Sequence, residues 1–178
     1  RTRVHGIQTW IALARAEEER EPSFAHHGAA SLPRIERPGA ILTVIAGTAY
    51  GKQSPVDVFS PTLYVDAQLT DGAAIEVPDE HQQRACYVAQ GRIEIAGQAY
   101  GEGQFIVLAT AAGPVSITAL QASRVMLAGG AALDGPRHIY WNFVSSTRER
   151  IEAASRDWRE HRFAPVPGDA ERIPLPDE

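Results

Sequence analysis

The stretch from Gly72 to Leu108 constrains the fold more than any other part of this chain. Within it, Ile75 and Val77 alternate with polar neighbours, and Ala85 to Val88 form a short apolar run. Arg92-Ile93-Glu94-Ile95 then alternates again, and Phe105 to Leu108 closes the stretch. A period of two puts successive side chains on opposite faces of an extended backbone, so each segment reads as a β-strand. The breaks fall at Pro78-Asp79-Glu80, at Gln90-Gly91 and from Gly97 to Gly103, where Gly and Pro supply turn geometry that other residues resist. The expected arrangement is a set of antiparallel hairpins forming a β-barrel core.

The flanking sequence extends the same pattern. Arg34-Ile35-Glu36 precedes a Pro38-Gly39 turn, and Ala40 to Gly47 is a β-branched run suited to the centre of a sheet. Further strands are expected at Val56 to Phe59, Thr62 to Leu69, Val115 to Leu120 and Arg124 to Ala128, with Gly129-Gly130 ending the last. Many short strands at near-regular spacing mean a barrel or sandwich. Val4 to Leu13 reads as one more strand, apolar on both faces and so buried on two sides. Arg1 is not an initiator methionine and this segment begins almost at once, so a preceding part of the natural protein is expected. Ala14 to Arg20, with Glu17-Glu18-Glu19, reads as a solvated turn or short helix leading into a loop that carries His26-His27.

Beyond Gly130 the character changes. Ile139 to Val144 reads as an aromatic-rich strand. Ser146, with Glu149 three residues later, has the form of a capping box, and Ile151, Ala154 and Trp158 mark one face of a helix ending near His161 or Arg162. The Pro-rich tail from Phe163 to Glu178 is not regular structure, yet Ile173-Pro174-Leu175-Pro176 carries enough apolar area to dock.

Composition excludes several classes of function. The 178 residues fit one large or two small domains, and 17 basic against 22 acidic side chains leave no basic stripe for nucleic acid. The single cysteine, Cys86, rules out an intrachain disulfide and reads as a buried strand residue. No apolar run reaches a membrane span and no signal peptide opens the chain, so a cytoplasmic location without a membrane partner is expected. The adjacent His26 and His27 point to opposite faces and lack a third ligand. His5 and His138 read as hydrogen-bonded, partly buried imidazoles, and His161 suits the negative end of the helix dipole. Asp57 and Asp66 are paired only in sequence. No nucleophile elbow, P-loop or dinucleotide fingerprint is present.

Several motifs in order resemble the later part of a pirin, a cupin-superfamily protein of two stacked β-barrels. They are His5-Gly6-Ile7-Gln8-Thr9-Trp10, Val44-Ile45-Ala46-Gly47 with Gly51 and Ser54-Pro55, Tyr87-Val88 with Gly91, Gly129-Gly130, and Tyr140-Trp141-Asn142-Phe143-Val144 leading into the helix. The resemblance extends from Val4 to Pro176. It implies an all-β fold with a C-terminal helix, the barrel being cupin-like and antiparallel. Residues 1–20 would be the terminal strand of an upstream barrel, 31–130 a degenerate cupin barrel, and 131–178 an aromatic strand, helix and Pro-rich tail packing back on the barrels.

The resemblance also implies that the family's metal site, three histidines and a glutamate holding iron or another divalent ion, lies upstream of this chain. A metal site in the second barrel would need histidines from position 78 and at position 106, and these are Pro78 and Ile106. Glu80 and His81 remain, but adjacent ligands on one turn do not enclose a cation, so both are expected as loop residues at the barrel mouth. No catalytic, cofactor-binding or metal residue is therefore expected here. The implied activity is that of a metal-dependent quercetin 2,3-dioxygenase acting through the upstream barrel on a small aromatic substrate, with this chain inactive alone and Gln8 or Trp10 forming a pocket wall. The competing reading is a non-enzymatic binding or regulatory module that meets a protein partner. Without the upstream barrel, Trp10, Trp141 and their neighbours would be exposed, which would favour a homo-oligomer by self-association or strand exchange.

Overall fold

A computed structural model describes residues 5–109, 113–165, 167–168 and 171–176. The chain forms two compact units: one spans Glu21–Ala132, and the other joins the residues up to Arg20 with those from Leu133 onward.

The first unit is built from β1 (Arg34–Arg37), β2 (Ala40–Ala49), β3 (Lys52–Gln53), β4 (Thr62–Leu69), β5 (Ala74–Val77), β6 (Gln83–Gln90), β7 (Arg92–Ile95), β8 (Gln98–Gly101), β9 (Phe105–Leu108), β10 (Val115–Ala119) and β11 (Ser123–Gly130). The larger sheet runs β1-β2-β4-β11-β6-β9, with β3 beside β2, and the smaller runs β5-β10-β7-β8. The strand pairings in both sheets are antiparallel.

The expected chain of hairpins between Gly72 and Leu108 is not what forms. Only β7 and β8 pair as sequence neighbours there, while β6 lies between β11 and β9, and β5 and β7 flank β10. Alternation fixes which face of a strand is buried; it does not fix the neighbour across the ladder. The segment read as a turn from Gly97 to Gly103 contains β8, whose residues are exposed or half-buried and so lack the apolar alternation that marks a strand. The strand expected at Val56 to Phe59 is absent, since residues 54–61 carry no regular structure and Val56 N–H turns back to Ser54 Oγ at 3.2 Å.

The two sheets share one core. Leu42 and Val44 of β2, Val65 and Ala67 of β4, Cys86 and Val88 of β6, and Val125 and Leu127 of β11 meet Ile75, Val77, Ile93, Ile95 and Ile117 of the smaller sheet. Burying a Leu or Ile side chain this completely contributes about 2–3 kcal/mol. Two glycines permit the close approach of strands. Gly47 holds φ +72°, and a Cβ there would overlap the Thr62 carbonyl; a Cβ on Gly129 would overlap the Gln83 carbonyl.

The second unit contains β12 (His138–Tyr140), β13 (Phe143–Ser145) and α1 (Arg148–Arg159). The single aromatic strand expected from Ile139 to Val144 is instead a hairpin, turned at Trp141-Asn142 with Trp141 at φ +50°. The helix is capped by Thr147, whose side chain accepts from Arg150 N–H, so Ser146 and Glu149 do not form a capping box. Ile151 and Ala154 are buried on the expected face, and the helix ends at Arg159.

Trp141 meets Phe143 and Trp158 edge-on at 5.4 and 5.0 Å between centroids, and Phe163 stacks on Phe143 at 5.9 Å. The tail is tied to the helix by Trp158 Nε1–H donating to the Ile173 carbonyl, and Leu175 is buried. Val4 lies outside the described residues, and residues 5–14 carry no regular secondary structure. The expected strand from Val4 to Leu13 thus does not form, because an extended segment becomes a strand only through ladder bonds to a neighbour.

Candidate functional site

In β6 the alternation that sends Cys86 and Val88 into the core also sends Arg84 inward, two residues earlier on the same face. Arg84 is only 5% exposed. Its Nη1 donates to the Pro78 carbonyl at 3.4 Å and its Nη2 to the Gly113 carbonyl at 3.0 Å, while the buried Nε–H has no partner. Of the two positions where the resemblance would place metal-site histidines, 78 meets Arg84 and 106 lies opposite Cys86 in the β6–β9 ladder. Pro78 contributes only its carbonyl, and Ile106 packs its side chain against the core.

His81 and Glu80 both lie in the loop between β5 and β6, as expected; Glu80 is exposed, whereas the His81 side chain is buried. The His81 Nε2 faces the Thr48 carbonyl at 3.1 Å, and because a carbonyl only accepts, Nε2 carries the proton. Ser54 is also buried and donates to the Ile45 carbonyl at 2.7 Å. Among the described residues no three His, Cys, Asp or Glu side chains come close enough to hold a metal ion. The chemistry agrees: a permanent guanidinium repels a divalent cation, and the metal of the resembling family does not fit this barrel. Cys86, fully buried, has its thiol pushed up to about 11 by burial and is not a reactive nucleophile.

In the second unit the expected short helix forms at Arg15–Glu17 and Glu19 stays exposed, but Glu18 is largely withdrawn from solvent. Glu18 Oε2 accepts from Ser146 Oγ at 2.8 Å and from Ser146 N–H at 3.2 Å, and Arg137 Nε lies 2.6 Å from Oε1. The Arg137 N–H groups point mainly to the Leu13 carbonyl and Asp134, so Oε1 gains the charge without an aligned hydrogen bond. Burial opposes the Glu18 charge, but the Ser146 bonds and the Arg137 cation outweigh it and hold the carboxyl below its usual range. Glu19 pairs with Arg150 at 2.7 Å. Only the folded chain reveals this latch, because its partners are more than a hundred residues away in sequence.

The remaining candidates are dispersed. Gln8 and Trp10 are both exposed. Asp66 is paired with Arg124 through bonds of 2.8 and 2.7 Å, and Asp57 is exposed. His161 accepts from Arg172 at 3.0 Å. His138 lines an open groove of about 710 Å³ with Arg148, Ser155 and Arg156.

Residues 64–164 match the pirin C-terminal cupin domain. A pirin-like protein of Caulobacter vibrioides is 45% identical over 177 residues, covering 98% of this chain and 61% of that protein. Pirin of Homo sapiens is 28% identical over 169 residues, covering 88% of this chain and 56% of its own length. Among solved structures, a quercetin 2,3-dioxygenase from Acinetobacter baumannii superimposes with a TM-score of 0.83 at 28% identity, covering 94% of this chain and 56% of that one. The chain thus spans little more than half the length of these relatives.

Proposed function

This chain belongs to the pirin family, and from that premise we propose that it is the metal-free second barrel, with its flanking segments, of a cytoplasmic protein that works as a quercetinase-type dioxygenase through an upstream barrel. The observation that carries the reading is the buried Arg84 guanidinium at the barrel mouth, bonded to the carbonyl of Pro78. A fixed cation facing into this barrel repels a divalent ion beside it, which supports placing the chemistry elsewhere. The 28% identity to the Acinetobacter baumannii dioxygenase over 94% of this chain supports the substrate class.

Iron or another divalent metal, held upstream, would activate a small aromatic substrate toward dioxygen. This chain would contribute a pocket wall, with Gln8 and Trp10 its best-placed residues, and a rigid second barrel. Oxygen uptake with quercetin tests the reading. Turnover is expected from this chain joined to its natural upstream residues, and is expected to vanish when the upstream histidines are replaced. Turnover by the 178-residue chain alone contradicts it.

One observation favours a second reading, a binding or regulatory module. β9 ends the larger sheet, and its Phe105 and Val107 are 61% and 75% exposed. An open strand edge carrying apolar side chains is a template for a protein partner or a second copy. Phe105→Lys would weaken such an association, measured by sedimentation, without touching quercetin turnover.

A further inference from the structure

We propose that the mouth of the barrel at Arg84 is a binding site for a small carboxylate. The starting point is an imbalance of charge. Arg84 is nine-tenths buried and always protonated, yet among the described residues no carboxylate pairs with it. Its two bonds go to neutral carbonyls, those of Pro78 and Gly113, and its Nε–H goes to nothing. A buried charge left in this state is costly, and structures remove that cost by pairing.

The geometry says what kind of partner fits. A guanidinium presents Nε–H and one Nη as a fork matched to a carboxylate, and the Nη groups are already turned toward carbonyls while Nε is free. The ligand therefore approaches along Nε, with one oxygen accepting that N–H in a charge-assisted bond. An ordered water would satisfy the donor but leave the charge uncompensated; an anion does both. The surroundings limit its size. The Nε atom is itself enclosed, and Leu108, opposite Arg84 in the β6–β9 ladder, is buried, so only the smallest carboxylates are candidates. Formate and acetate are the natural probes. This site is independent of the upstream chemistry, because it concerns an anion in the second barrel.

The test uses the intact 178-residue chain. The Nε–H resonance of Arg84 is followed by nitrogen-proton correlation spectroscopy while formate or acetate is added at constant ionic strength against chloride. The expected outcome is a saturable shift of Arg84 that the exposed Arg124 does not share, with a melting temperature that climbs with the logarithm of formate concentration. Arg84→Gln should abolish that climb; if this variant does not fold, the resonance of the unaltered protein still decides. An Arg84 signal that moves no more than that of Arg124, or a crystal structure in formate showing only water on Nε, overturns the proposal.

Discussion

The barrel and the helix-bearing unit are held together by different forces. The barrel buries a continuous apolar core supplied by both sheets, with Leu42, Val65, Ile93, Ile117 and Leu127 fully enclosed. The other unit buries few apolar side chains, Ile151, Ala154 and Leu175 among them. It relies on Glu18 with Ser146 and Arg137, on Glu19 with Arg150, and on a cluster of aromatic rings in which Trp141, Phe143 and Trp158 are half-buried and Phe163 is exposed. The lesson is that one chain can carry a non-directional, dense core beside a directional, polar latch, and that the two should answer differently to mutation and pH. Nature has provided separate reporters: all three tryptophans, Trp10, Trp141 and Trp158, belong to the latched unit, and the single cysteine, Cys86, to the barrel.

The largest effect should come from the barrel core. Leu127→Ala is expected to cost about 3 kcal/mol, read as earlier exposure of Cys86 to a thiol reagent during urea unfolding. If the tryptophan transition shifts by the same amount, the two units unfold together and the comparison loses its force. Gly47→Ala should cost about 2 kcal/mol, since it adds a clash with the Thr62 carbonyl at a positive φ; the same Cys86 assay reads it. Glu18→Gln is expected to be milder, about 1–2 kcal/mol, and to move the tryptophan transition rather than the Cys86 transition.

The pH response should separate the units more gently. Glu18 and Glu19 sit below the ordinary glutamate value of 4.5 in the folded chain, so they stabilise it above that value and lose the contribution as pH falls through their lowered values. Tryptophan fluorescence should report this acid loosening, and Glu18→Gln should reduce it. In the barrel, burial raises Cys86 to about 11 and Tyr50 to about 12. Both are acids kept neutral by the fold, so their contribution is present below their unfolded values and fades as pH rises through the folded ones. Alkaline loss should therefore appear first in Cys86 accessibility, at a pH where the tryptophans are unchanged.

Much of the barrel was legible because periodicity is a property of one segment at a time. β2, β4 and β6 could be read from their β-branched and alternating residues, and the buried face of α1 from the spacing of Ile151 and Ala154. Pairing depends on two segments, so the exchange of β5, β6 and β7 between sheets was not visible. Nor was the split at Trp141, where a non-glycine residue takes a positive φ. The latch was hidden for the same reason, since three glutamates in a row look solvated until their partners are known. Arg84 is a different case. Its position two residues before Cys86 placed it on the inward face, and that alternation could have identified a buried charge from sequence.

The central claim, a cupin barrel that holds a buried guanidinium in place of a metal, is tested most directly by metal analysis. The purified chain would be incubated with iron(II) or nickel(II), desalted and measured by plasma mass spectrometry beside its His81→Ala variant. Both proteins are predicted to retain the same trace of metal, well below one ion per chain. One tightly held ion per chain, lost when His81 is replaced, would contradict the account.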